Sequence, residues 1–364
     1  MDKISLQNPP CFSEASHKFA RSILLAWGAV WIMILIGGAT RLTGSGLSIA
    51  EWAPVRGILP PMTMLQWDAL FSLYKMTPEF HHINAHFTLQ DFKSIFWLEY
   101  IHRLWGRVLG LILLYPTWRA WRNPVLWRAY RTPLLVIWVM GIGQGLLGWY
   151  MVKSGLVHDP HVSPLRLSAH LLMAGAILSS LTWILLCARY GKVTFWAVLG
   201  RGKLFLVPLF LTIFYGALVA GTKAGLIYNE FPLMGGAWIP YDAFTGPLFR
   251  DLVSNQASVQ WIHRVLATIT LLSILYTGTR LTKSATGSDQ TEHGQKSPPI
   301  WGGFLLGLVF LGVIQYMLGI WTLLGQVPLI QGVAHQGMAF LLLSYCISAA
   351  YMGCLRDTKS PTFR

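Results

Sequence analysis

Four of the eleven histidines stand at the head of hydrophobic stretches: His102 in EYIHRLWGR, His170 in RLSAHLLMAGA, His263 in VQWIHRVLA and His335 in QGVAHQGMA. The first and third share one motif, and the second and fourth share another more loosely. The separations also match, 68 residues from His102 to His170 and 72 from His263 to His335. An imidazole inside a membrane helix is costly and marks a functional site. A hydrogen-bonding contact between helices would explain one such residue, but not four in register. Two repeated pairs suit the axial ligation of two planar metal cofactors, and haem is the cofactor that such pairs imply. Zinc fits less well, because no pair has short ligand spacing and no thiolate accompanies them.

Neighbouring residues sharpen this chemistry. Four positions after each histidine, on the same helix face, lies a small residue: Gly106, Ala174, Ala267 and Ala339. A flat, open surface beside each imidazole would clear the edge of a porphyrin, although small residues also permit close helix packing. Arg103 and Arg264 directly follow His102 and His263 and turn away from the ligand face. Each is placed either to pair with a haem propionate or to extend to the lipid headgroups. Glu99, three residues before His102, corresponds to Gln260 in the second copy. An acid beside one cofactor and an amide beside the other implies chemistry in the first half only; the competing reading is a structural Glu99–Arg103 pair.

The elements that carry these residues follow from composition. Of 364 residues, 54% are hydrophobic and 12% charged, with a mean hydropathy of +0.50, which excludes an ordinary soluble globule. Apolar runs of about 20 residues suit bilayer-crossing helices, and eight are expected at 22–39, 95–115, 133–152, 166–188, 203–221, 260–280, 300–323 and 330–353. The first runs into GGATRLTGSGLS without a cleavage pattern and reads as a span, and the tail before it lacks the character of a transit peptide. The expected location is therefore a bacterial inner membrane.

The net charge of +14 reflects topology rather than binding to nucleic acid. Alternate segments carry 17 of the cations, among them Lys3, Lys18, Arg122, Arg201, Arg280, Lys283, Lys296, Arg356, Lys359 and Arg364, against 8 in the opposite loops. By the positive-inside rule both termini are cytoplasmic. All four histidines are then expected in the first turns of the even-numbered spans, near the outer leaflet.

An internal duplication organises the chain. GGATRLTGSGLSIAEWAP resembles VAGTKAGLIYNEFPLMG, EYIHRLWGR matches QWIHRVLAT, and GQGLLGWYM matches IQYMLGIWT, pairing Gln144 with Gln315 and Gly148 with Gly319. The expected fold is an all-α membrane protein with eight transmembrane helices arranged as two tandem pseudo-symmetric four-helix bundles. Residues 1–21 form a cytoplasmic tail, 22–188 the N-terminal bundle with a long outer loop at 40–94, 189–202 a linker, 203–353 the C-terminal bundle and 354–364 a second tail. In the outer loop Trp67, Leu70, Phe71 and Tyr74 have helical spacing, so a helical cap either covers a pocket or packs on the bundle. His17, His81, His82, His86, His158, His161 and His293 fall in polar segments or loops, where surface roles are expected. Cys11, Cys187, Cys346 and Cys354 read as unpaired.

GGATRLTGSGLSIAEW, FWLEYIHRLWGR, the AH of the fourth span, WIHR and the AHQ of the eighth together resemble the haem A synthase family, in its proteobacterial and mitochondrial branch, over residues 20–355. The resemblance implies an oxidoreductase that converts haem O to haem A for terminal oxidases, oxidising the C8 methyl group to formyl by successive hydroxylations. It implies that His263 and His335 ligate a resident haem b, that His102 and His170 serve the substrate haem, and that Glu99 is the acid of the ExxHR motif. It also implies a handover from the farnesyltransferase that makes haem O, and a redox partner. Some bacterial members carry a cysteine pair in the first outer loop, whereas residues 40–94 here contain none. A dihaem electron-transfer cytochrome and a haem transporter or chaperone remain alternatives from the residues alone.

Overall fold

The computed structural model describes residues 13–51, 56–155, 162–286 and 299–358. Cys11, His158, His161 and His293 lie outside these residues, as do Lys3, Lys296, Lys359 and Arg364. The side chains of Arg280, Lys283 and Arg356 are likewise not described. Among the described residues the regular structure is helical and no strand forms. In chain order the helices are α1 (Glu14–Leu42), α2 (Met64–Lys75), α3 (Pro78–His82), α4 (Leu89–Trp121), α5 (Pro124–Gly155), α6 (Pro164–Tyr190), α7 (Phe195–Thr222), α8 (Leu248–Val253), α9 (Gln256–Thr286), α10 (Pro299–Leu324) and α11 (Leu329–Thr358).

Seven of these helices are long and apolar enough to cross a membrane. The eighth long helix, α4, falls short because Glu99, Arg103 and Arg107 interrupt its middle. Its start also differs from the expectation: the helix begins at Leu89 rather than near residue 95. Thr88 and Asp91 form a capping box there, with Asp91 Oδ2 accepting from the Thr88 amide at 2.9 Å, which satisfies donors at the frayed end. The histidines consequently do not lie in first turns. His170 and His335 are the seventh residues of α6 and α11, His263 is the eighth of α9, and His102 is the fourteenth of α4.

Helix neighbours form a regular pattern. α1 and α5 each pack against both α4 and α6, while α7 and α10 each pack against both α9 and α11. The two groups meet where α1 touches α11 and where α6 touches α7 and α11. Buried Ile23, Leu178, Leu181, Leu209 and Phe340 belong to the core that runs through this meeting. Polar contacts tie it as well. Gln336 Nε2 donates to the Ile34 carbonyl at 2.7 Å, and Trp31 Nε1 donates to the Gly337 carbonyl at 2.9 Å. Arg41, at the end of α1, donates to the carbonyls of Ala220 and Gly221 at 2.7 and 3.1 Å. A cation suits the C-terminal end of a helix such as α7.

The long connection before α4 folds into a cap. α2 opens with a capping box between Thr63 and Gln66 and buries Trp67, Phe71 and Tyr74 against Phe92, Ile95, Phe96 and Tyr100 of α4. This aromatic cluster explains why α4 extends so far: its first turns supply the wall on which the cap rests. The cap packs on α4 and also contributes Glu79, Ile83, Asn84 and Phe87 to the lining of a cavity between the helices.

Candidate functional site

A single cavity of about 1560 Å³ reaches His102, His170, His263 and His335. Pockets for ordinary small ligands occupy about 300–1,000 Å³, so this space suits larger groups. The small residues Gly106, Ala174, Ala267 and Ala339 all border it, as their spacing led one to expect. His102 lies within electrostatic range of His170, and His335 within range of His263.

Each imidazole rests against a glycine of the neighbouring helix. A Cβ atom at Gly37 of α1 would come 3.4 Å from His102 Nε2, and one at Gly148 of α5 would come 3.2 Å from His170 Cε1. In the second half, Gly216 of α7 stands 3.2 Å from His263 Cε1 by the same measure, and Gly319 of α10 stands 2.8 Å from His335 Cε1. A side chain at Gly148, Gly216 or Gly319 would press on the ring, so these glycines set how deeply their imidazoles can seat. Gly148 and Gly319 were visible as a repeated position, but Gly37 and Gly216 were not singled out.

Hydrogen bonds orient the rings further. His263 Nδ1 lies 3.1 Å from the Thr212 carbonyl, which can only accept, so the proton sits on Nδ1 and the Nε2 lone pair is available to a metal. Gln144 Nε2 donates to the His170 carbonyl at 3.0 Å, and Gln315 Nε2 donates to the His335 carbonyl at 3.1 Å. These glutamines were recognised as a repeat, and their shared role is to brace the histidine-bearing turn. Among the described residues no cluster of three or more histidine, cysteine, aspartate or glutamate side chains suits a bare metal ion. The donor set fits a pair of imidazoles across a macrocycle better.

The two arginines make equivalent clamps. Arg103 Nη2 and Nη1 donate to the carbonyls of Ile49 and Glu51 at 2.8 and 2.9 Å. Arg264 Nη2 and Nη1 donate to those of Tyr228 and Glu230, also at 2.8 and 2.9 Å. The loops held in this way begin alike, with a left-handed residue, Gly44 at φ 69° or Lys223 at φ 57°, followed by a short 3-10 turn. Arg264 Nε is buried without a partner and borders the cavity.

Glu99 is 2% exposed and borders the cavity. Its Oε1 accepts from Arg103 Nε and Nη2 at 3.0 and 2.6 Å, and its Oε2 accepts from Ser48 Oγ at 2.7 Å and the Ile49 amide at 2.9 Å. Gln260, its counterpart, donates instead to the Tyr228 carbonyl at 3.0 Å. The halves thus differ in hydrogen-bond polarity as well as charge. Ser48 was not singled out from the sequence. The remaining described histidines, His17, His81, His82 and His86, are exposed, and among the described residues Cys187, Cys346 and Cys354 form no disulfide.

Comparison with known proteins gives the family. Residues 20–347 match the COX15-CtaA family of cytochrome oxidase assembly proteins. The haem A synthase of Paramagnetospirillum magneticum is 41% identical over 336 residues, covering 88% of this chain and 90% of that protein. That of Bradyrhizobium sp. is 36% identical over 355 residues, covering 94% and 92%, and that of Granulibacter bethesdensis is 41% identical over 323 residues, covering 87% and 82%. A match of this length, spanning all four histidines and the acid that separates the halves, means that the chain belongs to the haem A synthase family.

Proposed function

We propose that this protein oxidises the C8 methyl group of haem O to a formyl group by successive hydroxylations, supplying haem A for cytochrome oxidase assembly. The observation that carries the reading is one cavity reaching two pairs of imidazoles, with an acid in one half where the other has an amide. A cytochrome that only passed electrons would have no use for an acid confined to one half.

In this reading, residues 22–188 and 203–353 are two pseudo-symmetric four-helix bundles, and α4 is the eighth span despite its charges. The spans cross a bacterial inner membrane with residues 1–21 and 354–364 in the cytoplasm and 189–202 as the linker. Three arguments support the repeat: the matched helix neighbours, the matched glycine backing and the matched arginine clamps. The 17-to-8 division of cations supports the orientation.

His263 and His335 would hold the iron of a resident haem b, and Arg264 would offer its unpartnered Nε to a propionate. The His263 tautomer and the clearance at Gly216 and Gly319 fit that group. When bound, haem b supplies a site that takes up electrons and passes them to a redox partner. His102 and His170 would hold the substrate haem, fixing its plane, with Gly106 and Ala174 clearing its edge. Arg103 orients Glu99 and anchors the loop at Ile49 and Glu51. Each Glu99 oxygen already accepts two hydrogen bonds, so this carboxylate acts through its negative charge beside the substrate rather than by shuttling protons. A farnesyltransferase delivering haem O through the bilayer is the expected partner.

The test is pigment extraction and mass analysis from a host that makes haem O, with and without this protein. Haem A should appear only with it. Its absence, when haem O and the protein are both present in the membrane, would overturn the reading.

A further inference from the structure

The cap brings a second acid to the N-terminal site. Glu79 is the second residue of α3, is 5% exposed, and borders the same cavity as Glu99 and His102. Tyr74 beside it is fully buried and accepts from Asn84 Nδ2 at 2.7 Å. Glu79 Oε2 has no partner among the described residues. Native proteins leave few buried polar atoms unpaired, and such an atom in a ligand cavity is suited to a polar group of the ligand. Tyr74 itself packs on Phe80 and Phe92. Burial, and then the negative charge of Glu99, push the Glu79 carboxyl up to about 7. Two carboxyl groups in one site with environments this different divide their work: Glu99 is saturated by four donors, and Glu79 keeps one oxygen open.

We propose that Glu79 contacts the substrate, its open oxygen hydrogen-bonding the hydroxyl group that the first oxidation sets on the porphyrin methyl carbon and retaining that alcohol for the second oxidation. This rests on the N-terminal half being the haem O site. The hydroxyl is a new polar group in a cavity whose nearby lining includes Met33, Leu47, Ile83, Phe87 and Ile95, where it would otherwise lose its hydrogen bonds to water. A propionate is a poorer match for this oxygen, because its negative charge would face Glu99.

The experiment uses the full-length protein purified from a host that makes haem O, as wild type, Glu79→Gln and Glu79→Leu. Haem b per protein is measured first, then the ratio of the alcohol to the aldehyde among extracted haems. Loss of one hydrogen bond should raise that ratio about tenfold in Glu79→Leu, and by less in Glu79→Gln, which keeps an acceptor oxygen. Haem b should be unchanged in both. An unchanged ratio, including one that persists while total product falls, overturns the proposal, because a merely structural cap would scale both products together. Failure of the near-isosteric Glu79→Gln to retain haem b would also overturn it, by showing that the side chain supports the fold. If the wild type makes neither oxidised haem, the assignment of haem O to this half fails and takes the proposal with it.

Discussion

Replacing Gly319 with alanine should empty the C-terminal haem site without unfolding the protein. A methyl group there would lie 2.8 Å from His335 Cε1. Carbon atoms pack at about 3.5–4.0 Å, so the ring would have to retreat by about 0.7 Å or more. Binding constellations tolerate displacements of only about 0.5 Å, which puts Gly319→Ala beyond the limit. The same arithmetic grades the other three sites: Gly148→Ala and Gly216→Ala start from 3.2 Å and Gly37→Ala from 3.4 Å. Alanine favours a helix over glycine by about 0.8–1 kcal/mol, so loss of haem cannot be blamed on a weaker α10. The assay is haem b per mole of purified protein, from the pyridine haemochrome and the low-spin absorption bands, with circular dichroism to verify helix content. Gly319→Ala should retain a small fraction of wild-type haem b and Gly216→Ala an intermediate fraction, while Gly37→Ala, behind a substrate-side histidine, should retain all of it and serves as the control. Full haem content in Gly319→Ala, or the reverse ranking, would refute the argument that these glycines seat the ligands.

Four further outcomes are expected. His263→Ala and His335→Ala should each remove the low-spin haem b signal, and an unchanged spectrum in both would reassign the ligands. Glu99→Gln should preserve haem b while haem A formed per haem b falls steeply. The amide cannot accept all four bonds, and an uncompensated Arg103 costs about 3–5 kcal/mol locally; near-normal turnover would remove Glu99 from the mechanism. Reporter fusions at Arg122 and Lys75 should give opposite compartment signals, and agreement between them would end the eight-span topology. Glu79 binds its proton more tightly in the folded protein, at about 7 against 4.5 for the free acid. Its contribution to stability is therefore full below 4.5 and is lost as pH rises through 7, by up to roughly 3 kcal/mol. Thermal unfolding at pH 5 and 8 should show Glu79→Gln more stable than wild type at the higher pH only, and an equal pH response in both proteins would contradict this.

The ligand histidines were legible in the sequence because their signals are local. A motif, a spacing and a small residue one turn away all lie within a few positions of one another. The capping box at Thr88 and Asp91 is equally local and marks the start of α4, but the polar residues Gln90, Asp91 and Lys93 keep the first turns of that helix out of the apolar run. The glycines behind the imidazoles were not legible. Each acts across a helix–helix contact, and glycine is too common in membrane helices to stand out. Glu79 was hidden for a related reason: it lies in a polar stretch beside two exposed histidines, and only the packing of the cap buries it. Glu99 and Gln260 were visible as an unequal pair, yet their partners, an amide in one half and a carbonyl in the other, depend on loops more than thirty residues away.

Arg41 has a consequence for anyone who would divide or recombine this chain. It leaves α1 to hold the last carbonyls of α7, the helix whose Gly216 backs His263. Gln336 and Trp31 cross in the same region between α11 and α1. A junction at 189–202 is the natural place to join halves from two relatives, but it cuts through none of these contacts and tests all of them. Chimeras whose parents differ at Arg41, Gln336 or the residues they meet should assemble poorly even when each half carries an intact pair of histidines. Successful exchanges should be those that carry α1 and α11 from the same parent.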